Sequence, residues 1–439
     1  MSERINSEKI TADLLRPIRL NKGFMVWMGV LSISLLVCLF AYFLQLRDGM
    51  IVTGLGDYVS WGMYISNFVF FVASSLIGML ISGVLSLLKQ KWAAPLARIA
   101  EIIALAFAAV AGLVIVMDMG RPDRLLNVFI HGRIQSPILW DVTVITSYMI
   151  VSALFLYIPL IPDLKICAQK LTNIPPFARK IYEFLSLNWS DTPVQRELIR
   201  KSTRTIAILI IPIALAIHTV TSWLFANTSR AGWDSTIFGP YFVAGAFVAG
   251  TAAVIIAMFI FRKVYHLEEY ITEFHFDKIG QLLVLVSLLY LYFNVNEYMV
   301  PAYKMKRADA FHIHELFVGS HALLFWITQL GGLIIPIILL ILKPFRKPIP
   351  MLVISTMVLI GSWLKRYIIV IPTMEHPYLP VQNVPLKFSV YTPTLIEILV
   401  TIAPMIMVLL IITVLAKVIP IIPIHETIEH QQEIASKKK

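Results

Sequence analysis

Ten long, mostly apolar stretches run through this chain, at residues 24–45, 59–88, 96–117, 138–161, 204–226, 240–262, 279–300, 315–342, 350–372 and 395–418. A helix needs about 20 such residues to cross a hydrocarbon core roughly 30 Å thick. In lipid every backbone polar group must be bonded internally, so a spanning chain is either helical or a closed β-barrel. Barrel strands run to about 10 residues and alternate apolar with polar, whereas these stretches are longer and continuously apolar. The pattern predicts an all-α polytopic membrane bundle of ten transmembrane helices. A composition of 58% apolar and 14% charged residues fits no water-soluble globular chain.

The first stretch follows a polar leader and has no small-residue cleavage site after a short apolar region, so it reads as a retained span and not a signal peptide. The predicted organisation is a tail over 1–23, spans one to four over 24–161, an amphipathic connection over 162–203, spans five to ten over 204–423 and a second tail over 424–439. Lys and Arg near span ends set orientation. Most of the 37 basic residues fall in the two tails and the even-numbered connections. Both termini and the Pro175-Pro176 connection are therefore expected in the cytoplasm, with the chain in the cytoplasmic (inner) membrane. The pI of about 9.5 is then a topology signal and an attraction to anionic lipid, not the footprint of a nucleic-acid partner.

Only two cysteines occur, Cys38 and Cys167. Four thiolates usually hold an iron–sulfur cluster, and a c-type haem needs a Cys-x-x-Cys-His run. The chain alone is expected to carry neither.

Charge inside a span costs at least about 2.5–3.5 kcal/mol at mid-membrane, so such groups usually face the bundle interior. The inventory is Glu101, Asp141, His218, Glu297, Glu315, His321, Lys365, Arg366 and Glu397. His218 lies deep in span five, with Ser222 one turn on and Trp223 beside it. His218 and His321, on different helices, could between them ligate a b-type haem, hydrogen-bond a quinone or relay protons. Tyr290, Asn294, Glu297 and Tyr298 form a polar stripe on span seven, and Ser60, Tyr64 and Asn67 a second on span two. Asp118, Arg121, Asp123 and Arg124 crowd the end of span three, next to Trp140 and Asp141 at the start of span four. Interfacial Arg and Asp commonly form solvated ion pairs; a headgroup site needs apolar walls, aromatic rings and a few fixed polar groups.

Five motifs, in order, resemble the NrfD-like family of quinone-interacting membrane subunits: Trp61-Gly62-Met63-Tyr64-Ile65-Ser66-Asn67-Phe68, Gly120-Arg121-Pro122, Ser136-Pro137-Ile138-Leu139-Trp140-Asp141, His218-Thr219-Val220-Thr221-Ser222-Trp223 and Gly232-Trp233-Asp234-Ser235-Thr236-Ile237-Phe238. The resemblance extends to Tyr391-Thr392-Pro393-Thr394-Leu395-Ile396-Glu397. It is to the ten-span relatives (the DsrP and HmeC type, HybB, ActC and ActF) more than to the eight-span polysulfide reductase branch. It implies menaquinone or another quinone bound as substrate toward the outer side, and no haem or cluster of the chain's own. Electrons would pass to or from a docked iron–sulfur, ferredoxin-like subunit within a larger redox complex, for example one linked to sulfite reduction.

The family places quinone or proton-path roles around Tyr64, Asn67, the Gly120–Arg124 loop, Asp141, His218 and Asp234. Where alternative complex III relatives carry a histidine soon after the Asn-Phe motif, this chain has Leu76 or a near neighbour. For a quinone site, His218 and Asp141 are the expected proton-handling pair. Trp140, Tyr64 and Trp223 would shape the pocket, and Arg121 and Arg124 would hold its mouth and Asp118. The competing readings are a b-haem anchor and a secondary transporter, which would show discontinuous helices or inverted repeats about a midplane site.

Overall fold

A computed structural model describes residues 2–171, 174–376, 385 and 390–429. The expected tail ending in Lys437-Lys438-Lys439 lies outside the described residues. Ten helices long and apolar enough to cross a membrane are present, and the described residues contain no strand. The spans are Lys22–Asp48, Met63–Leu87, Ala94–Asp118, Pro137–Lys170, Pro193–Ala226, Phe238–Val264, Glu273–Lys304, Ala322–Ile341, Pro348–Glu375 and Leu395–Val418. Each expected span has its helix.

Span eight begins at Ala322, after a separate helix over Arg307–Phe317, so Glu315 and His321, expected within it, lie ahead of it; elsewhere boundaries differ where apolarity ends before the helix does. Span four continues as helix to Lys170 and span five begins at Pro193. Thr192 caps span five, its Oγ1 accepting from Gln195 N while the Gln195 side chain returns to the Thr192 backbone. Between the two spans lies a short amphipathic helix, Pro176–Leu185. The first tail is not merely solvated, since it forms a helix over Ser2–Leu15 and buries Leu14, Leu15 and Ile18.

Span two is the most buried, running beside spans three and six, while span four packs along span five and span one along span ten. Small residues set these crossings: a methyl group at Gly78 would meet Ala104 at 2.7 Å, and one at Gly332 would meet the Gly361 backbone at 2.7 Å. Spans two and eight each contain a π-helical stretch, Met79–Val84 and Ile327–Ile334, yet continue as helices.

At the end of the bundle that carries residues 16–22 and 419–429, Asp163 accepts from Arg98 Nη1 at 3.1 Å, Ile424 N at 3.2 Å and His425 N at 2.9 Å. Asp163 and Arg98 are both almost fully buried. Residues 424–429, expected as the start of a solvated tail, are thus strapped down by a span-four carboxylate.

Candidate functional site

The expected site residues fall into three places near the opposite end of the bundle. The first is the seam between spans four and five. Pro137 opens span four with its φ pre-set for a helix, which sets Asp141 in the second turn, facing span five. Asp141 is 2% exposed and accepts from Thr221 Oγ1 at 2.5 Å. One turn earlier on span five, His218 is also 2% exposed, and its Nε2 has no hydrogen-bond partner. Eight residues separate it from Ala226, a depth of about 12 Å at 1.5 Å per residue. The guanidinium of Arg366, on span nine, acts on it electrostatically. Trp140 and Trp223 meet edge to face at 6.2 Å on the rim of this seam. Trp223 is 40% exposed, so the pair lies where lipid would be, and Trp140 Nε1 is fixed by the Ile134 carbonyl. Ser222 donates to Thr219 O of its own helix and takes no part.

The second place joins spans one, two, three and ten. Tyr64 OH donates to Gln45 Oε1 at 2.7 Å, and Gln45 Nε2 to Met117 O at 2.8 Å. Asn67 donates to Thr401 O at 2.7 Å and accepts from Trp363 Nε1 at 2.6 Å, so its amide ties three helices together. Asp118 lies beside Glu397 and leaves Oδ1 without a partner. Glu397 itself is held by Tyr391 OH and by Gly54 N at 2.9 Å.

The third place is the surface loops. Arg121 pairs with Asp123 at 2.8 Å with both side chains exposed, and the guanidinium holds that carboxyl below its usual range. Arg124 and Asp234 are exposed too. Trp233, next to Asp234, is buried: its Nε1 donates to Ile369 O at 2.6 Å and its ring lies against Trp61 and Phe225. The structure therefore joins Asp141 to Thr221 and Trp140 to Trp223 across spans four and five, with His218 one turn before Thr221 on span five, while Tyr64 and Asn67 are bonded in a separate network.

His321, expected inside span eight, lies at its N-cap, ahead of Ala322. His321 Nε2 lies 3.3 Å from Glu375, and its Nδ1 is 3.0 Å from Ser320.

A buried polar core across spans six to nine is only half visible in the sequence. Tyr241 OH donates to Asn294 Oδ1 at 2.9 Å, the rings of Tyr241 and Tyr290 stack at 5.1 Å, and Asn294 Nδ2 donates to Gln329 Oε1. Lys365 donates to Tyr298 OH. A methyl group at Gly245 would strike Tyr290 at 2.8 Å and Arg366 Nη2 at 3.0 Å, so this glycine makes room for both. Arg366 Nε, Gln329 Nε2 and Glu297 Oε2 join His218 Nε2 in having no partner. A cavity of about 20 Å³ beside Lys365, Glu297 and Tyr241 has room for a water. The available signals are the span-seven stripe of Tyr290, Asn294, Glu297 and Tyr298 and the pair Lys365-Arg366, two adjacent cations in an apolar span; the partners Tyr241 and Gln329 carry none.

The family model for polysulphide reductase, NrfD, matches residues 51–376. The chain belongs to the NrfD family. Among known proteins it is similar to a putative dimethyl sulfoxide reductase membrane subunit of Halobacterium salinarum, 31% identical over 330 residues, covering 73% of this chain and 70% of that one. It is also similar to a selenate reductase subunit of Mesobacillus selenatarsenatis, 24% identical over 361 residues, covering 80% and 83%. As an NrfD protein with ten spans it is a multi-pass membrane subunit of a reductase complex. The matched region contains the span-four and span-five seam and the Lys365-Arg366 core.

Proposed function

We propose that this NrfD subunit exchanges electrons between a quinone, menaquinone by family habit, and a docked iron–sulfur subunit, with the quinone headgroup at the seam of spans four and five. The observation that carries the reading is His218: a buried imidazole whose Nε2 is unbonded, one helical turn from the Thr221 that bonds Asp141. Buried polar groups are ordinarily bonded, so an unfilled ring nitrogen suits a ligand oxygen. Quinol oxidation releases two electrons and two protons. His218 would bond one ring oxygen, and Asp141 would take a proton through Thr221, with Trp140 and Trp223 flanking an approach from lipid.

Two buried cysteines supply too few thiolates for a cluster, so the electrons need a partner. The exposed loops at Arg121 and Asp234 offer it a polar face. The names of the two relatives favour a terminal reductase complex of the dimethyl sulfoxide or selenate type over a sulfite-linked one. The loop-charge asymmetry puts the termini in the cytoplasm and the seam in the outer half of the cytoplasmic membrane.

The test uses the intact complex. His218→Leu and Asp141→Asn should assemble normally and lose about 10²–10⁴-fold of quinone-linked turnover, the usual share of an acid–base group. Tenfold or less would assign both residues to packing.

A further inference from the structure

A crevice of about 560 Å³ opens between spans one, six and ten at the end of the bundle that carries residues 16–22 and 417–429, away from the seam. Its walls include Phe24 and Trp27 of span one, Phe107 of span three, Ala257 and Ile260 of span six and Ile412 of span ten. Trp27 Nε1, a polar group on these walls, already donates to Thr413 Oγ1 at 3.3 Å. The interior therefore takes a hydrocarbon chain and offers little to a quinone's two ring oxygens.

The mouth has the opposite character. Lys417 Nζ donates to Pro17 O at 2.6 Å and Arg19 O at 3.0 Å and sits over the rings of Phe24 at 5.1 Å and Tyr265 at 4.9 Å. These contacts fix the ammonium without neutralising it, and one of its three N–H groups stays free. No carboxylate pairs with Lys417, Arg19 or Lys22 among the described residues. Asn21 and Gly23 line the same mouth, where span one begins. Asn21 Oδ1 caps Phe24 N at 2.7 Å, so the amides of the first turn ahead of it are left facing outward. Gly23 leaves the approach open, with only Asn21 Oδ1 near the place of a side chain, at 3.7 Å.

We infer that this crevice binds one anionic phospholipid, its acyl chain between spans one, six and ten and its phosphate at Lys417 and the start of span one. The lipid would fill a gap beside the first span, which is the least buried of the ten. It stands apart from the quinone reading, since no residue is shared.

The experiment is native mass spectrometry of the intact complex in mild detergent, titrated with phosphatidylglycerol or with phosphatidylcholine of the same chains. Wild type should retain phosphatidylglycerol in preference. Lys417→Gln should weaken it about fivefold, one lysine's share of attraction to an anionic surface, and abolish the headgroup preference. Lys417→Arg should restore the preference, and Ala257→Phe should weaken both lipids by filling the crevice. Equal retention of the two lipids by wild type would overturn the assignment. So would unchanged phosphatidylglycerol binding in Lys417→Gln, or quinone or a partner subunit's helix as the sole occupant. If Ala257→Phe fails to fold, the two Lys417 variants decide the matter.

Discussion

Asp163 and His218 are both shut away from solvent, yet only one of them has its bonding capacity filled. Asp163 takes a guanidinium and two backbone amides and straps residues 424–429 to spans three and four. His218 sits with a bare Nε2, and unpartnered polar atoms on spans seven, eight and nine include those of Glu297, Gln329 and Arg366. A satisfied cluster rigidifies; an unsatisfied one in a low-dielectric interior is kept at a cost of roughly 1–3 kcal/mol per group unless water or a ligand completes it. On this contrast Asp163 is read as a clamp and His218 proposed as part of a site.

The largest expected effect lies on the clamp. Asp163→Ala takes from buried Arg98 its direct carboxylate partner, leaving it Glu101 at 3.8 Å and two carbonyls, a break in a buried ion pair that typically costs up to about 3–5 kcal/mol, so folded protein recovered in mild detergent should fall sharply. Asp141→Asn, by contrast, keeps an Oδ1 that can accept from Thr221 Oγ1 and costs at most about 0.5–1.5 kcal/mol, so it should melt close to wild type while losing turnover. Equal stability losses in the two variants would break the comparison.

A second effect depends on pH. His312, in the helix Arg307–Phe317 between spans seven and eight, has its ring against Gly232, whose φ of +84° and lack of a side chain the contact requires. Burial, then the charges of His376, Lys365 and His321, pull its pKa from 6.5 down to about 4. The unfolded chain takes up this proton first, so the neutral ring supports the fold above about pH 6.5 and the support is lost as pH falls to about 4. His312→Gln should flatten the acid limb of thermal stability in that window; an unchanged limb would remove His312 from the account.

The smallest structural effect is expected at the surface. Arg121→Ala breaks an exposed ion pair with Asp123 and should leave the melting temperature unmoved, while weakening association with the proposed iron–sulfur subunit in pull-down at low salt. Undiminished association would take that loop out of the docking face.

How much of this is legible in the sequence depends on distance along the chain. The ten spans are plain because a long apolar run has few uses. The seam is readable because Trp140 and Asp141 are adjacent in one motif, and His218, Thr221 and Trp223 share another. Asn67 is not readable as glue, because the groups that bond it come 296 and 334 residues later. Lys365 and Arg366 announce themselves as costly residues. Their neighbours Tyr241 and Gln329 do not, since a tyrosine in an apolar helix is ordinary until the packing shows what its hydroxyl meets. The strap at Asp163 is hidden for the same reason, two of its three donors being backbone amides.

Photolabelling of the intact complex with an azido-quinone, followed by peptide mapping, tests the headgroup position most directly. The account predicts label on peptides from Pro137–Lys170 and Pro193–Ala226, around Trp140 and Trp223, suppressed by excess menaquinone and lost in His218→Leu. Competable label on span seven around Asn294, with the four–five seam unmarked, would contradict it.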